Sequence, residues 1–171
     1  MIKKLTIYIL LLPILLIGQN NSQEIGLQEG WSIFSTYIIP SNNNLEDVFA
    51  NIIDDVIIIK DEDGNTFWPE FDLNSIGAMQ PGSAYLINMQ NSNNLLISGN
   101  GSDCNSIINL DTGWSLLGYL DSISSNLENH FLNIPELIIV KDDDGNIYWP
   151  EFNLNSIEQL NPGQGYQVKL N

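Results

Sequence analysis

KDEDGNTFWPEF, at residues 60–71, decides how this chain is read, because KDDDGNIYWPEF, at residues 141–152, writes it again. Each copy runs from an apolar stretch through an acidic Asp-Gly turn into a second run that carries Trp-Pro-Glu. Asp-Gly between two apolar runs signals a hairpin, since glycine takes the positive φ of a tight turn without steric cost. The isoleucine run Val56–Lys60 therefore reads as one strand, apolar enough to be buried on both faces. Residues 66–71 read as its antiparallel return. Pro69 and Pro150 cannot donate to a ladder, which places that return at a sheet edge.

Working outward, the flanks repeat as well. Gly30-Trp31 recurs as Gly113-Trp114, 83 positions on, and Gly64 recurs as Gly145, 81 positions on. A shortfall of two residues is what one loop absorbs. Repetition on this scale means duplicated units, and two copies are too few for a solenoid. The expected fold is α+β: two tandem homologous small modules, mainly antiparallel β with short helices, over residues 25–89 and 107–171. Residues 90–106, rich in Asn and Ser, read as a polar linker in which Leu95 to Ile97 could add a short strand. Within a unit the glycine turn leads into a strand (31–38 or 114–120), where Trp31 and Trp114 are expected to be buried. A short helix follows over 44–51 or 126–133, with Asn44 as the cap of the first. Residues 73–76 suggest one helical turn. Pro81-Gly82 or Pro162-Gly163 then turns the chain into a last strand, where Tyr85, Ile87 and Met89 alternate with Ala84, Leu86 and Asn88.

Residues 1–18 read as a cleaved secretory signal: Lys3 and Lys4, an apolar run over 5–17, then Gly18. The run is short of the roughly 20 residues that a spanning helix needs, so no membrane span is expected in the mature chain. The expected location is outside the cell or on its surface. The formal charge is −16, from 5 Lys+Arg against 21 Asp+Glu. Such a surface repels phosphate backbones and anionic lipid heads, which excludes nucleic acid and headgroups as partners. Hydrophobic residues at 43% are too many for a disordered acidic tail. Cys104 is alone, which rules out an internal disulfide and a multi-thiolate zinc site; the expectation for it is a buried, inert side chain. His130 is alone too, so neither a multi-histidine metal site nor a triad is available. Glu70 and Glu151 share identical contexts, which argues for repeated structure rather than one acid and one base. The protein reads as a non-enzyme.

Taken together, Gly113-Trp114, residues 141–151, Ile157, Pro162-Gly163, Gly165-Tyr166 and their first-copy partners resemble repeat modules of secreted and surface proteins of marine Bacteroidota. The resemblance covers both units. It implies an exported, modular, adhesion-type protein and no catalytic residue. The first copy departs from the pattern with Ala84 where the second has Gly165.

Two places carry candidate chemistry. At the acidic tips, Asp61, Asp63 and Asn65, and equally Asp142, Asp144 and Asn146, offer hard oxygen ligands of the kind Ca²⁺ takes. They do not fit an EF-hand loop, and the competing reading is a solvated tip that caps its own turn. No other cofactor is implied. The second candidate is Trp68 with Glu70, and Trp149 with Glu151, an aromatic ring beside a carboxylate as in a sugar platform. Strict alternation places Phe67 and Phe71 inward and Trp68 and Glu70 on the other face, towards solvent or the sister unit. The competing reading is packing, with Trp68 and Trp149 meeting where the units touch. A structural or adhesive role with a protein or glycan partner is expected, with carbohydrate- or Ca²⁺-dependent binding as the alternative. The oligomeric state is not legible.

Overall fold

Both acidic turns form the hairpins that their glycines suit, with φ of 84° at Gly64 and 87° at Gly145. A computed structural model describes residues 21–171, and the leader expected over residues 1–18 lies outside them. The first half runs β1 (Asn21–Leu27), β2 (Gly30–Ser35), β3 (Ile38–Pro40), α1 (Leu45–Val48), β4 (Val56–Lys60), β5 (Thr66–Trp68), β6 (Leu73–Asn74), β7 (Ala84–Met89) and β8 (Asn93–Gly101). The second runs β9 (Gly113–Gly118), β10 (Ser125–Asn126), α2 (Leu127–Phe131), β11 (Leu137–Lys141), β12 (Ile147–Trp149), β13 (Leu154–Asn155), β14 (Gln159–Leu160) and β15 (Gly165–Leu170). Two five-stranded sheets, β2-β7-β4-β5-β6 and β9-β15-β11-β12-β13, share one strand order. A three-stranded sheet β1-β8-β3 and the pair β10-β14 complete the set, all antiparallel. Among the described residues the protein is mainly antiparallel β with two short α-helices.

Local chemistry explains the short elements. Asn44 and Asn126 cap the two helices, accepting from the Glu46 and Asn129 N–H groups respectively. Trp68 ends β5 because Pro69 begins a 3₁₀ turn, Pro69–Phe71, where its fixed φ is at home. Pro150–Phe152 repeats it.

That turn corrects three expectations. The return strand is three residues long rather than six, and β6 pairs outside it, so it is not the edge. The turn resets the alternation: Phe67 is buried, but Phe71 is exposed. Residues 73–76 hold a two-residue strand, and the helical turn comes earlier. In addition, Ile57 is exposed at an irregularity in the β4–β7 register, so β4 is not buried on both faces. Residues 90–106 are no plain linker either. Nine of them form β8, the middle strand of the three-stranded sheet. Cys104 is exposed rather than buried.

The inner face of the first five-stranded sheet presents Phe34, Tyr85, Ile87, Met89, Ile59 and Phe67 to one core. Leu45 and Phe49 cover part of it. The three-stranded sheet covers the rest with Ile25, Leu27, Leu95 and Ile97. The second core is smaller and centres on Leu127, Val140, Tyr166 and Val168.

The halves meet along β2 and β9, the corresponding edge strands, in a reciprocal pattern. Ser35 N–H donates to Gly163 O at 2.9 Å, and Gly118 N–H donates to Gly82 O at 2.9 Å. Isolated bridges join Phe34 to Gln164 and Leu117 to Ser83. Residues equivalent in sequence exchange roles across this seam, as in an isologous contact. There is no room there. A Cβ on Gly118 would lie 2.6 Å from Ser83 O, and one on Gly165 would lie 2.7 Å from Ala84 Cβ. Ala84 and Gly165 are equivalent positions at which the two copies differ; they face each other, and two alanines would collide. Ser35, opposite in role to Gly118, donates from Oγ to Gln164 O at 2.5 Å and accepts from Tyr119 N–H at 3.1 Å.

One tyrosine in each half fixes the Pro-Gly turn. Gln80 N–H donates to Tyr85 Oη, and Asn161 N–H donates to Tyr166 Oη, both at 2.8 Å. Burial pushes the Tyr166 phenol up to about 12 from its ordinary 10.0. The unfolded chain ionises first, so this stabilisation is complete below pH 10 and is lost as pH rises towards 12. A loss of about 2 to 3 kcal/mol over that window is expected from this group alone. Denaturant melts at pH 9 and pH 11.5 check it: Tyr166→Phe should flatten the difference, and an unchanged slope in that variant would refute the assignment.

Candidate functional site

The faces turned away from the cores carry the candidate site. Cross-strand partners share a face, so the register lays out a row on the first sheet. Trp31 pairs with Asn88, Asn88 with Ile58, and Trp68 with Leu73, while Ile59 and Phe67 beside them point into the core. The second sheet lays out Trp114, Lys169 and Ile139, then Trp149 with Leu154. Trp31 and Trp68 stand three strand spacings apart, about 14 Å across the sheet.

Exposure matches between the rows. Trp31 is 52% and Trp114 49% exposed; Phe71 is 62% and Phe152 63%. The expectation that Trp31 and Trp114 are buried is thus overturned. They sit at the second residue of an edge strand, on the face opposite Ser32 and Ser115, with no layer above them. Trp68 and Trp149 are half-buried, each stacked edge-to-face on its own neighbour, Phe71 at 4.7 Å and Phe152 at 4.6 Å between centroids. They do not meet at the seam, which runs along the far edge of each sheet. Both indole Nε1 atoms are shielded and have no acceptor among the described residues. Glu70 and Glu151 are exposed on the 3₁₀ turns, one in each half.

Every cation among the described residues lies on these faces. Lys60 Nζ sits 5.5 Å from the Trp31 ring centroid, and Lys141 and Lys169 sit 4.9 and 5.6 Å from that of Trp114. A cation over an indole face at this range is attracted by the ring quadrupole. In so acidic a chain these are two local patches of positive charge. The sequence alone places Trp31 and Trp114 in the core and gives the lysines no role. The available signal was the register, in which Trp31 falls one residue out of phase with Ser32, Phe34 and the core.

The acidic tips close on themselves. Asp61 accepts at both carboxylate oxygens from Asn65, backbone N–H and side-chain amide, each at 2.8 Å. Asp142 does the same with Asn146, at 2.7 and 2.8 Å. Asp63 and Asp144 accept no hydrogen bond among the described residues, where no group of three His, Cys, Asp or Glu side chains is arranged around a common point. Asp143 has a task between the halves: its Oδ2 accepts the Ile33 N–H at 3.0 Å. Burial at that contact pushes its carboxyl above the usual range, against the hydrogen bond, which lowers it.

Comparison with family models, curated proteins and solved structures found no match. The functional reading rests on the chain's own geometry.

Proposed function

We propose that this is an exported, non-enzymatic adhesive protein of two tandem homologous modules, residues 25–89 and 107–171, whose outer sheet faces hold glycan chains. One observation carries the reading. The half-exposed indole, the aliphatic row beside it and the exposed phenylalanine recur in both halves at matching exposure. Exposed apolar clusters of this kind mark binding surfaces. Pyranose rings present C–H faces that pack on aromatic rings, while their hydroxyls take hydrogen bonds from polar neighbours such as Asn88 and Gln167. The leader expected over residues 1–18 and the acidic surface suit work outside the cell.

Two equal faces act together on a polymer. A second contact on the same chain is intramolecular, and avidity reaches 10²–10⁴ above a single face where both engage. Retention on insoluble polysaccharides and a glycan array test this. Trp114→Ala is expected to weaken retention at least ten-fold, and Trp31→Ala with Trp114→Ala to abolish it. Stability should fall only by about 1 kcal/mol per site, because half of each side chain is already in water. Wild-type protein retained on no polysaccharide, or retained equally by the double variant, would overturn the reading.

A further inference from the structure

The two cores are not equally covered. Leu27, Phe34, Val56, Phe67 and Met89 are buried in the first half. Their counterparts Leu110, Leu117, Leu137, Tyr148 and Leu170 are only partly buried. The difference is one layer. In the first half β8 pairs with β1 and sets Leu95 and Ile97 onto the core, while Leu96 points outward. In the second half the counterpart of β1 is present and in place: Ile108 packs 3.3 Å from the Cβ position of Gly82, as Ile25 packs 3.4 Å from that of Gly163. Residues 107–110 nevertheless form no strand and make no backbone hydrogen bond among the described residues. Beside them a cleft of about 270 Å³ is floored by Leu110, Leu117, Phe131, Ile134 and Leu160. An unpaired segment beside an apolar floor is the arrangement to which an extended peptide adds as a strand.

We propose that residues 107–110 and this cleft accept a β-strand from another polypeptide, and that the strand has the chemistry of β8. The first half shows what that chemistry is. NNLLISGNG carries no charge, places two apolar residues two apart on the inner side, and keeps its other side polar apart from Leu96. An acidic strand is disfavoured, because Asp121 lines the cleft and the chain as a whole is acidic. Backbone hydrogen bonds along 107–110 supply affinity, and the two apolar side chains filling the cleft supply selectivity. Through this site the protein would be joined edge to edge to a neighbouring polypeptide, a link separate from the glycan faces on the outer side.

An acetylated peptide with the sequence of Asn93–Gly101 is the probe, titrated into the full chain and followed by amide NMR. Saturable shifts are expected at residues 107–110, Phe131 and Ile134, with amide protection gained along 107–110. A peptide carrying Leu95→Asp and Ile97→Asp should bind at least ten-fold more weakly, a comparison that leaves the protein itself unaltered. Absence of saturable binding at millimolar peptide, or equal binding of the altered peptide, would overturn the proposal. So would shifts confined to Ile25 and Leu27, which would report exchange with the chain's own β8. Self-association without peptide, abolished by Leu117→Asp, would make the occupant a second copy and equally overturn it.

Discussion

Gly118→Val is expected to lower the melting temperature by about 6–12 °C, although the substitution looks favourable by strand propensity. Gly118 ends an edge strand, and valine is a better strand former than glycine. Nothing in its backbone forbids a side chain, because its φ is not in the positive range. The obstacle is the other half of the molecule, since a Cβ here lies within 2.9 Å of Gly82 C, Gly82 O and Ser83 O. These are backbone atoms and cannot swing aside. Opening the seam strains or breaks the bond from Gly118 N–H to Gly82 O, worth about 0.5–1.5 kcal/mol, on top of about 1–3 kcal/mol for overpacking. A total near 3 kcal/mol corresponds to about 2–4 °C per kcal/mol for a chain of this size. Gly26→Ala is the control, because its Cβ meets only Asn94 Oδ1 at 3.7 Å. Thermal melts of the two variants decide the matter. A Gly118→Val protein that melts with the wild type would mean that the seam is not formed in solution.

The second large effect is a contrast between equivalent leucines. Leu27→Ala should cost about 2–5 kcal/mol, because it opens a cavity in a core closed by both sheets. Leu27 is 1% exposed. Leu110→Ala should cost less than half as much, since Leu110 already faces water on one side and its site can relax or hydrate. Urea denaturation of both variants measures the contrast. Equal costs would show that the second core is as well covered as the first, and would remove the basis for a strand-accepting cleft.

Some of this architecture was legible in the residues alone. Asp63-Gly64 and Asp144-Gly145 specified their hairpins, because a positive φ and a two-sided apolar pattern are local requirements. Asn44 could be named as a cap and Tyr85, Ile87 and Met89 as one face of a strand for the same reason: each depends on neighbours within a few positions. The Asp61 and Asp142 self-caps belong here too, since donor and acceptor are four residues apart. The β-rich class was legible from the runs that these turns separate.

Tertiary structure decided the rest, wherever the answer depended on what lies on the far side of a strand. Trp31 reads as a core residue in isolation, and only the pairing of β2 with β7, together with the empty space above it, makes it an exposed platform beside Lys60. Pro69 alone reads as an edge marker, but the 3₁₀ turn that it starts turns Phe71 outward. Residues 93–101 read as linker, with only 95–97 suggesting a strand, because their partners, β1 and β3, are distant in sequence. Ala84 and Gly165 differ for a reason that no single copy contains: each is the neighbour the other must clear. Local periodicity records what a residue needs from its own segment. Contacts across the seam depend on two segments meeting, and neither carries that information alone.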